Sequence, residues 1–113
     1  MNIQIYGKSK CFETQKAERY FKERHIPYQR IDILKYGLSQ GEYQSVKAAV
    51  GGLRALLDEK SKAYEALYIQ YLSTESAIEE KLLENPSLYK TPIVRNGKKA
   101  TLGYQPEIWK TWE

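Results

Sequence analysis

The sequence predicts a single α/β domain over residues 1–113, ordered β-α-β, helical insertion, β-β-α, around a mixed four-stranded sheet. Three observations predict it. Alternating apolar runs at 2–6 and 28–34 flank one amphipathic stretch, helical spacing fills the chain from 39 to 85, and an Asn96-Gly97 turn joins two short strands near the end. With 42% hydrophobic and 12% aromatic residues, 113 residues supply one compact core.

Asn2-Ile3-Gln4-Ile5-Tyr6 puts Ile3 and Ile5 on one face of a strand, and Gly7-Lys8-Ser9-Lys10 follows as a polar loop. From Phe12 to Arg24, Ala17, Tyr20 and Phe21 recur at helical spacing until His25-Ile26-Pro27 stops the pattern. Tyr28 to Leu34 alternates again, giving a second strand expected to lie parallel to the first. Ser39 and Glu42 have capping-box spacing ahead of Tyr43, Val46, Ala49 and Val50, and Gly51-Gly52 ends that helix. A short turn at 53–57 follows. Tyr64, Leu67, Tyr68 and Tyr71 repeat at i, i+3, i+4, i+7, and a last helix of the insertion runs from Ser73 or Ser76 to Glu84 with Ala77, Ile78 and Leu82 inward. Thr91 to Arg95 reads as a strand, Lys99 to Gly103 as its hairpin partner, and Gln105-Pro106-Glu107 opens a final helix carrying Ile108, Trp109 and Trp112. Most of the ten tyrosines are expected to pack, although Tyr64, Tyr68 and Tyr71 suit a partner surface if their helix is only partly covered. His25 reads as a residue favourable to a helix C-terminus.

The formal charge of +4 lies entirely in residues 1–30, where seven Lys and Arg face three Glu; the remainder is balanced. No basic run or basic-aromatic motif marks a nucleic-acid reader, so no direct nucleic-acid contact is expected. The apolar stretches are short and the start lacks a leader-like apolar run, which points to a cytoplasmic protein without membrane association. One cysteine and one histidine are too few for a zinc site, so no metal and no bound cofactor are expected.

Cys11, the only cysteine, falls between a strand-loop and an amphipathic helix. There the free N–H groups of the helix start and its dipole favour a thiolate, and Lys8 and Lys10 add positive charge. Thr14 either turns its hydroxyl to the sulfur or caps the turn locally. A single thiol excludes an internal disulfide, so a redox cycle needs a second molecule. In β-α-β…β-β-α folds of thioredoxin type, the residue before the third strand's proline faces such a thiol and the proline is usually cis; here the pair is Thr91-Pro92, with an ordinary trans proline as the alternative.

Five pieces recur in order: Gly-x-x-x-Cys-x-x-Thr from Gly7, K-A-x-x-Y-F at 16–21, G-L-R-A-L-L at 52–57, N-P-x-L-x-x-x-P-I-V at 85–94, and L-G-Y from Leu102. Together they resemble the ArsC/Spx/YffB group of arsenate reductase-like proteins. The resemblance implies a thioredoxin-like fold with a helical insertion, a catalytic Cys11, and glutathione or another low-molecular-weight thiol as co-substrate, with glutaredoxin or thioredoxin as partner. Substrate or thiol binding is expected at Lys8, Lys10, Thr14, Arg54, Thr91, Pro92 and Arg95. The three arginines that assist arsenate reduction in the group match Asp58, Thr91 and Tyr104 here, and a divalent oxyanion needs fixed cationic donors. A thiol-dependent oxidoreductase that does not turn over arsenate is therefore expected. The alternative is an Spx-like regulator binding RNA polymerase, in which Thr14 replaces the second cysteine of the group's switch.

Overall fold

A computed structural model describes residues 1–112. Strand β1 (Ile3–Gly7), helix α1 (Phe12–Glu23) and strand β2 (Tyr28–Asp32) form the opening unit. Helices α2 (Ile33–Tyr36), α3 (Gln40–Val50), α4 (Leu53–Leu56), α5 (Lys62–Ala66) and α6 (Glu75–Glu84) follow. Strands β3 (Ile93–Asn96) and β4 (Lys99–Leu102) and helix α7 (Pro106–Trp109) close the chain. The sheet order is β2-β1-β3-β4, with β1 parallel to β2 and antiparallel to β3, which is antiparallel to β4. This is the expected thioredoxin-like arrangement.

Alternation along β1 and β3 sorts the core into two layers. Ile3, Ile5 and Val94 face α1 and α7, meeting Ala17, Phe21 and Trp109. Tyr6 and Ile93 face the other way, into Tyr43, Val46, Leu56, Leu82 and Leu88 of the helical region. The sheet is therefore covered on both sides, and what stays open is the end where β1 runs into α1.

Local chemistry accounts for the element ends. Ser39 Oγ accepts from Glu42 N at 3.2 Å while Glu42 Oε1 accepts from Ser39 N at 2.8 Å, the reciprocal box expected, and Gly51 ends α3 at φ 92°. After α1, His25 adopts φ 56° and donates to Lys22 O at 3.1 Å, while Ile26 N reaches Phe21 O at 2.9 Å. That bond pair is the Schellman motif, so His25 serves a helix end.

Three boundaries differ from expectation. β2 stops at Asp32, because its carboxylate accepts from Leu34 N at 3.1 Å and opens α2, so Ile33 and Leu34 are helical. The N-cap of α6 is Thr74, whose hydroxyl accepts from Ala77 N at 3.2 Å, and neither Ser73 nor Ser76 takes that role. The Tyr64–Tyr71 stripe is no single helix. Tyr68 turns left-handed at φ 55°, which sends Ile69 into the core at 2% exposure and leaves Tyr68 and Tyr71 at 66% and 74%, their rings 6.3 Å apart.

No helix among the described residues is long and apolar enough to cross a membrane. Trp109 anchors α7 by donating its buried indole N–H to Thr101 Oγ1 at 2.8 Å. Thr101→Val keeps the volume and removes the acceptor, so unfolding in urea is expected to show a loss of about 1–3 kcal/mol. An unchanged midpoint would mean that this bond does not hold α7 down.

Candidate active site

Gly7 ends β1 where the chain must turn sharply into α1. A Cβ there would collide with the side chain of Thr14, so the strand end and the first helical turn approach as closely as glycine allows. Lys10 takes φ 65° to complete the loop, and Cys11 N donates to Lys8 O at 3.3 Å. Cys11 itself is the N-cap of α1, extended at φ −91° and ψ 113°, with its carbonyl accepting the first helical bond from Gln15 N at 3.1 Å.

Opposite the thiol stands the segment entering β3. The Thr91-Pro92 peptide is cis. Thr91 Oγ1 donates to Cys11 Sγ at 3.4 Å, and the thiol reaches Thr91 O at 3.8 Å. Two further contacts fix this segment: Gly103 N donates to Pro92 O at 2.9 Å, and Lys90 N donates to Leu56 O at 2.8 Å beside an isolated bridge between Leu57 and Tyr89. Residues 11 and 91 thus meet because β1 and β3 are neighbours in the sheet.

The electrostatics of the sulfur follow from these neighbours. Burial pushes the Cys11 thiol up, but the hydroxyls of Thr14 and Thr91 and the backbone N–H groups of Thr14 and Glu13 outweigh it, so the thiol lies below its ordinary value. Thr14 is 1% exposed, its hydroxyl makes no hydrogen bond to the local backbone, and its effect on Cys11 is to favour the thiolate. Of the two roles open to Thr14, the structure favours the sulfur. The neutral thiol leaves the helix start without a side-chain cap. Ionisation supplies one, since a thiolate accepts the N–H groups at the second and third helical positions.

Lys8 extends its ammonium to Ser87 O at 2.9 Å. Burial holds its basicity below the ordinary range, against the opposing pull of Asp58 and Cys11. Arg54 lines an open cleft of about 570 Å³ together with Cys11 and Thr91. Lys60 and Lys90 add cations to that cleft, and Glu13, Asp58 and Glu59 add carboxylates. The cleft is mixed in charge, with no cationic surplus on its walls.

Of the expected binding residues only Arg54 and Thr91 line that cleft with Cys11; Lys8 and Thr14 act on the sulfur electrostatically without lining it, and Lys10 and Arg95 do neither. Lys10 is exposed in the loop and does not line the cleft. Arg95 lies elsewhere, its Nη1 donating to Tyr6 OH and Gln4 Oε1, each at 3.2 Å, with Glu42 Oε2 3.9 Å away. Tyr6 in turn donates to Glu42 Oε2 at 2.7 Å; burial first, and then that carboxylate, push its phenol up to about 12. Arg95 ties β1 and β3 to α3, and the pleat sends it there. Lys60 and Glu59 escaped the sequence reading because only the bridge at Leu57 folds their loop over the cleft, whereas Glu13 was legible as the second helical residue after the thiol.

Because the folded thiol is depressed, ionisation stabilises the fold. That stabilisation is complete above the ordinary thiol value of about 8.5 and is lost as pH falls through the lower folded value. Thr14→Val removes a donor to the thiolate, so iodoacetamide alkylation at neutral pH is expected to slow several-fold and its pH midpoint to rise. An unaltered profile would show that the hydroxyl does not serve the sulfur.

The chain is similar to known proteins over nearly its whole length. The chain is 32% identical over 112 residues to the global transcriptional regulator Spx 2 of Oceanobacillus iheyensis, covering 95% of this chain and 80% of that one. It is 26% identical over 108 residues to Spx 2 of Lactococcus lactis, covering 93% and 81%. Among solved structures, an arsenate reductase from Vibrio cholerae matches with TM-score 0.84 at 25% identity, over 96% of this chain and 94% of that one. An ArsC family related protein from Bacteroides fragilis shares the fold with TM-score 0.86 at 20% identity, over the whole of both chains. The ArsC family description matches residues 6–112, and the chain belongs to the ArsC family.

Proposed function

We propose that the chain is a cytoplasmic monothiol oxidoreductase in which the Cys11 thiolate attacks a disulfide. The observation that carries this reading is the sulfur at the start of α1 between the Thr14 and Thr91 hydroxyls, with its thiol depressed. Attack on R–S–S–R′ forms a Cys11–S–S–R bond and releases R′–S⁻. A second thiolate, from glutathione or another low-molecular-weight thiol, then attacks the sulfur of R, restoring the Cys11 thiolate and leaving a new mixed disulfide between that thiol and R. The oxidant is the substrate disulfide and the reductant is the external thiol, so one cysteine suffices. Glutaredoxin or thioredoxin would recycle the product.

Arsenate fits this cleft poorly. Asp58, Thr91 and Tyr104 stand at the three arginine positions, and the carboxylates of Glu13, Asp58 and Glu59 share the walls with the cations. A divalent oxyanion would meet repulsion as well as attraction there.

A second reading follows from the relatives, which are named as transcriptional regulators. On that reading the chain contacts RNA polymerase and Cys11 senses oxidation, forming a bond to an external thiol because no second cysteine is present. Saturable binding of the purified polymerase α subunit, retained by Cys11→Ser, would favour this reading over catalysis.

Incubation of the reduced chain with oxidised glutathione is expected to add one glutathionyl group by mass spectrometry, reversibly with reduced glutathione and not in Cys11→Ser. No adduct, or an adduct that reduced glutathione fails to remove, would defeat the oxidoreductase reading. With glutathione and glutaredoxin present, arsenate is expected to give no turnover; robust reduction would overturn the argument from cleft charge.

A further inference from the structure

The Cys11 cleft does not stand alone. It shares Glu13, Lys90 and Thr91 with a second cleft of about 430 Å³, which Tyr104 also lines. Tyr104 in turn lines a third, of about 400 Å³, with Lys16, Arg19, Tyr20, Glu23 and Arg24. The three clefts thus adjoin in a row, a shallow groove that passes from the thiol by way of Tyr104 to the exposed flank of α1.

The far part of that groove carries Lys16, Arg19 and Arg24 against Glu23, and two of these cations lie over rings. Lys16 Nζ lies 5.9 Å from the centroid of Tyr104, and the Arg24 guanidinium lies 3.7 Å from that of Tyr20. Among the described residues Lys16, Arg19 and Arg24 enter no ion pair, while Glu18 of the same helix is engaged by Arg30 at 3.5 Å and Tyr28 OH at 3.1 Å. In this part of the groove Lys16, Arg19 and Arg24 face the single carboxylate of Glu23, a local surplus of positive charge on the flank of α1.

We infer that this groove docks an acidic segment of a protein partner, whose thiol or disulfide is thereby delivered to Cys11. The inference rests on the Cys11 reading for its chemistry and on the groove for its partner. Length argues for a polypeptide: from Cys11 to Arg24 along α1 is about 20 Å, at about 1.5 Å per residue. An extended segment of about six residues spans that distance, and a low-molecular-weight thiol does not. Charge argues for acidic side chains over a nucleic acid. Glu13 and Glu23 lie within the groove, and spaced carboxylates can avoid them where a continuous phosphate backbone cannot. Tyr104 offers no free stacking platform either, since Trp109 meets it edge-on at 5.6 Å and Lys16 lies over its ring.

The test is binding of a fluorescently labelled octapeptide rich in Asp and Glu to the Cys11→Ser chain at low salt, read by anisotropy. Binding is expected to weaken about tenfold or more in a Cys11→Ser chain that also carries Lys16→Gln and Arg19→Gln, and likewise on raising the salt to physiological strength. A Gln/Asn octapeptide is expected not to bind. Equal binding of the two peptides, an affinity untouched by the double substitution, or tighter binding of a DNA oligonucleotide of equal charge would overturn the inference. Reaction of the wild-type thiol with neutral 2-hydroxyethyl disulfide is measured in parallel. Loss of that reaction would count against the oxidoreductase reading alone, because the peptide measurement contains no cysteine.

Discussion

The start of α1 leaves backbone N–H groups without partners, and the chain places a cysteine sulfur where a serine or aspartate oxygen usually sits. A neutral thiol caps poorly, so the helix gains a good cap only when the sulfur ionises. Gly7 lets Thr14 press against the strand end, and β3 carries Thr91 to the other side of the sulfur, 3.4 Å away. Each of these features has meaning chiefly in relation to that charge. The two-sided core supports it by fixing β1 against β3, and therefore residue 11 against residue 91.

Around this centre the charges of the cleft are balanced, Arg54, Lys60 and Lys90 against Glu13, Asp58 and Glu59. Lys8 donates to Ser87 O, and Asp58 and Cys11 favour its charge against the cost of burial. Both signs of charge are present on the walls of the cleft. Lys16, Arg19 and Arg24 instead lie on the flank of α1, with Glu23 among them.

Much of this was legible in the sequence because its signals are local. The capping box at Ser39, the stop at Gly51, the hairpin at 96–99 and the strand-loop-cysteine-helix order all depend on near neighbours, and each appears in the fold. Where the reading failed, a tertiary demand overrode a local pattern. The tyrosine stripe at 64–71 had good helical spacing, yet burying Ile69 required Tyr68 to turn left-handed. Arg95 looked available for the site by charge alone, but the pleat sends it toward Glu42 and Tyr6. Lys60 and Glu59 reach the cleft only through the bridge between Leu57 and Tyr89, a pairing across more than thirty residues that no short window contains.

The central claim is that the fold stabilises the Cys11 thiolate, and the far-ultraviolet absorbance of the thiolate tests it directly. Titration of the reduced chain, with the Cys11→Ser titration subtracted to remove the tyrosines, is predicted to show a single midpoint below the ordinary thiol value of about 8.5. A midpoint at or above that value would contradict the account, since the hydroxyls and helix N–H groups around the sulfur would then fail to offset its burial.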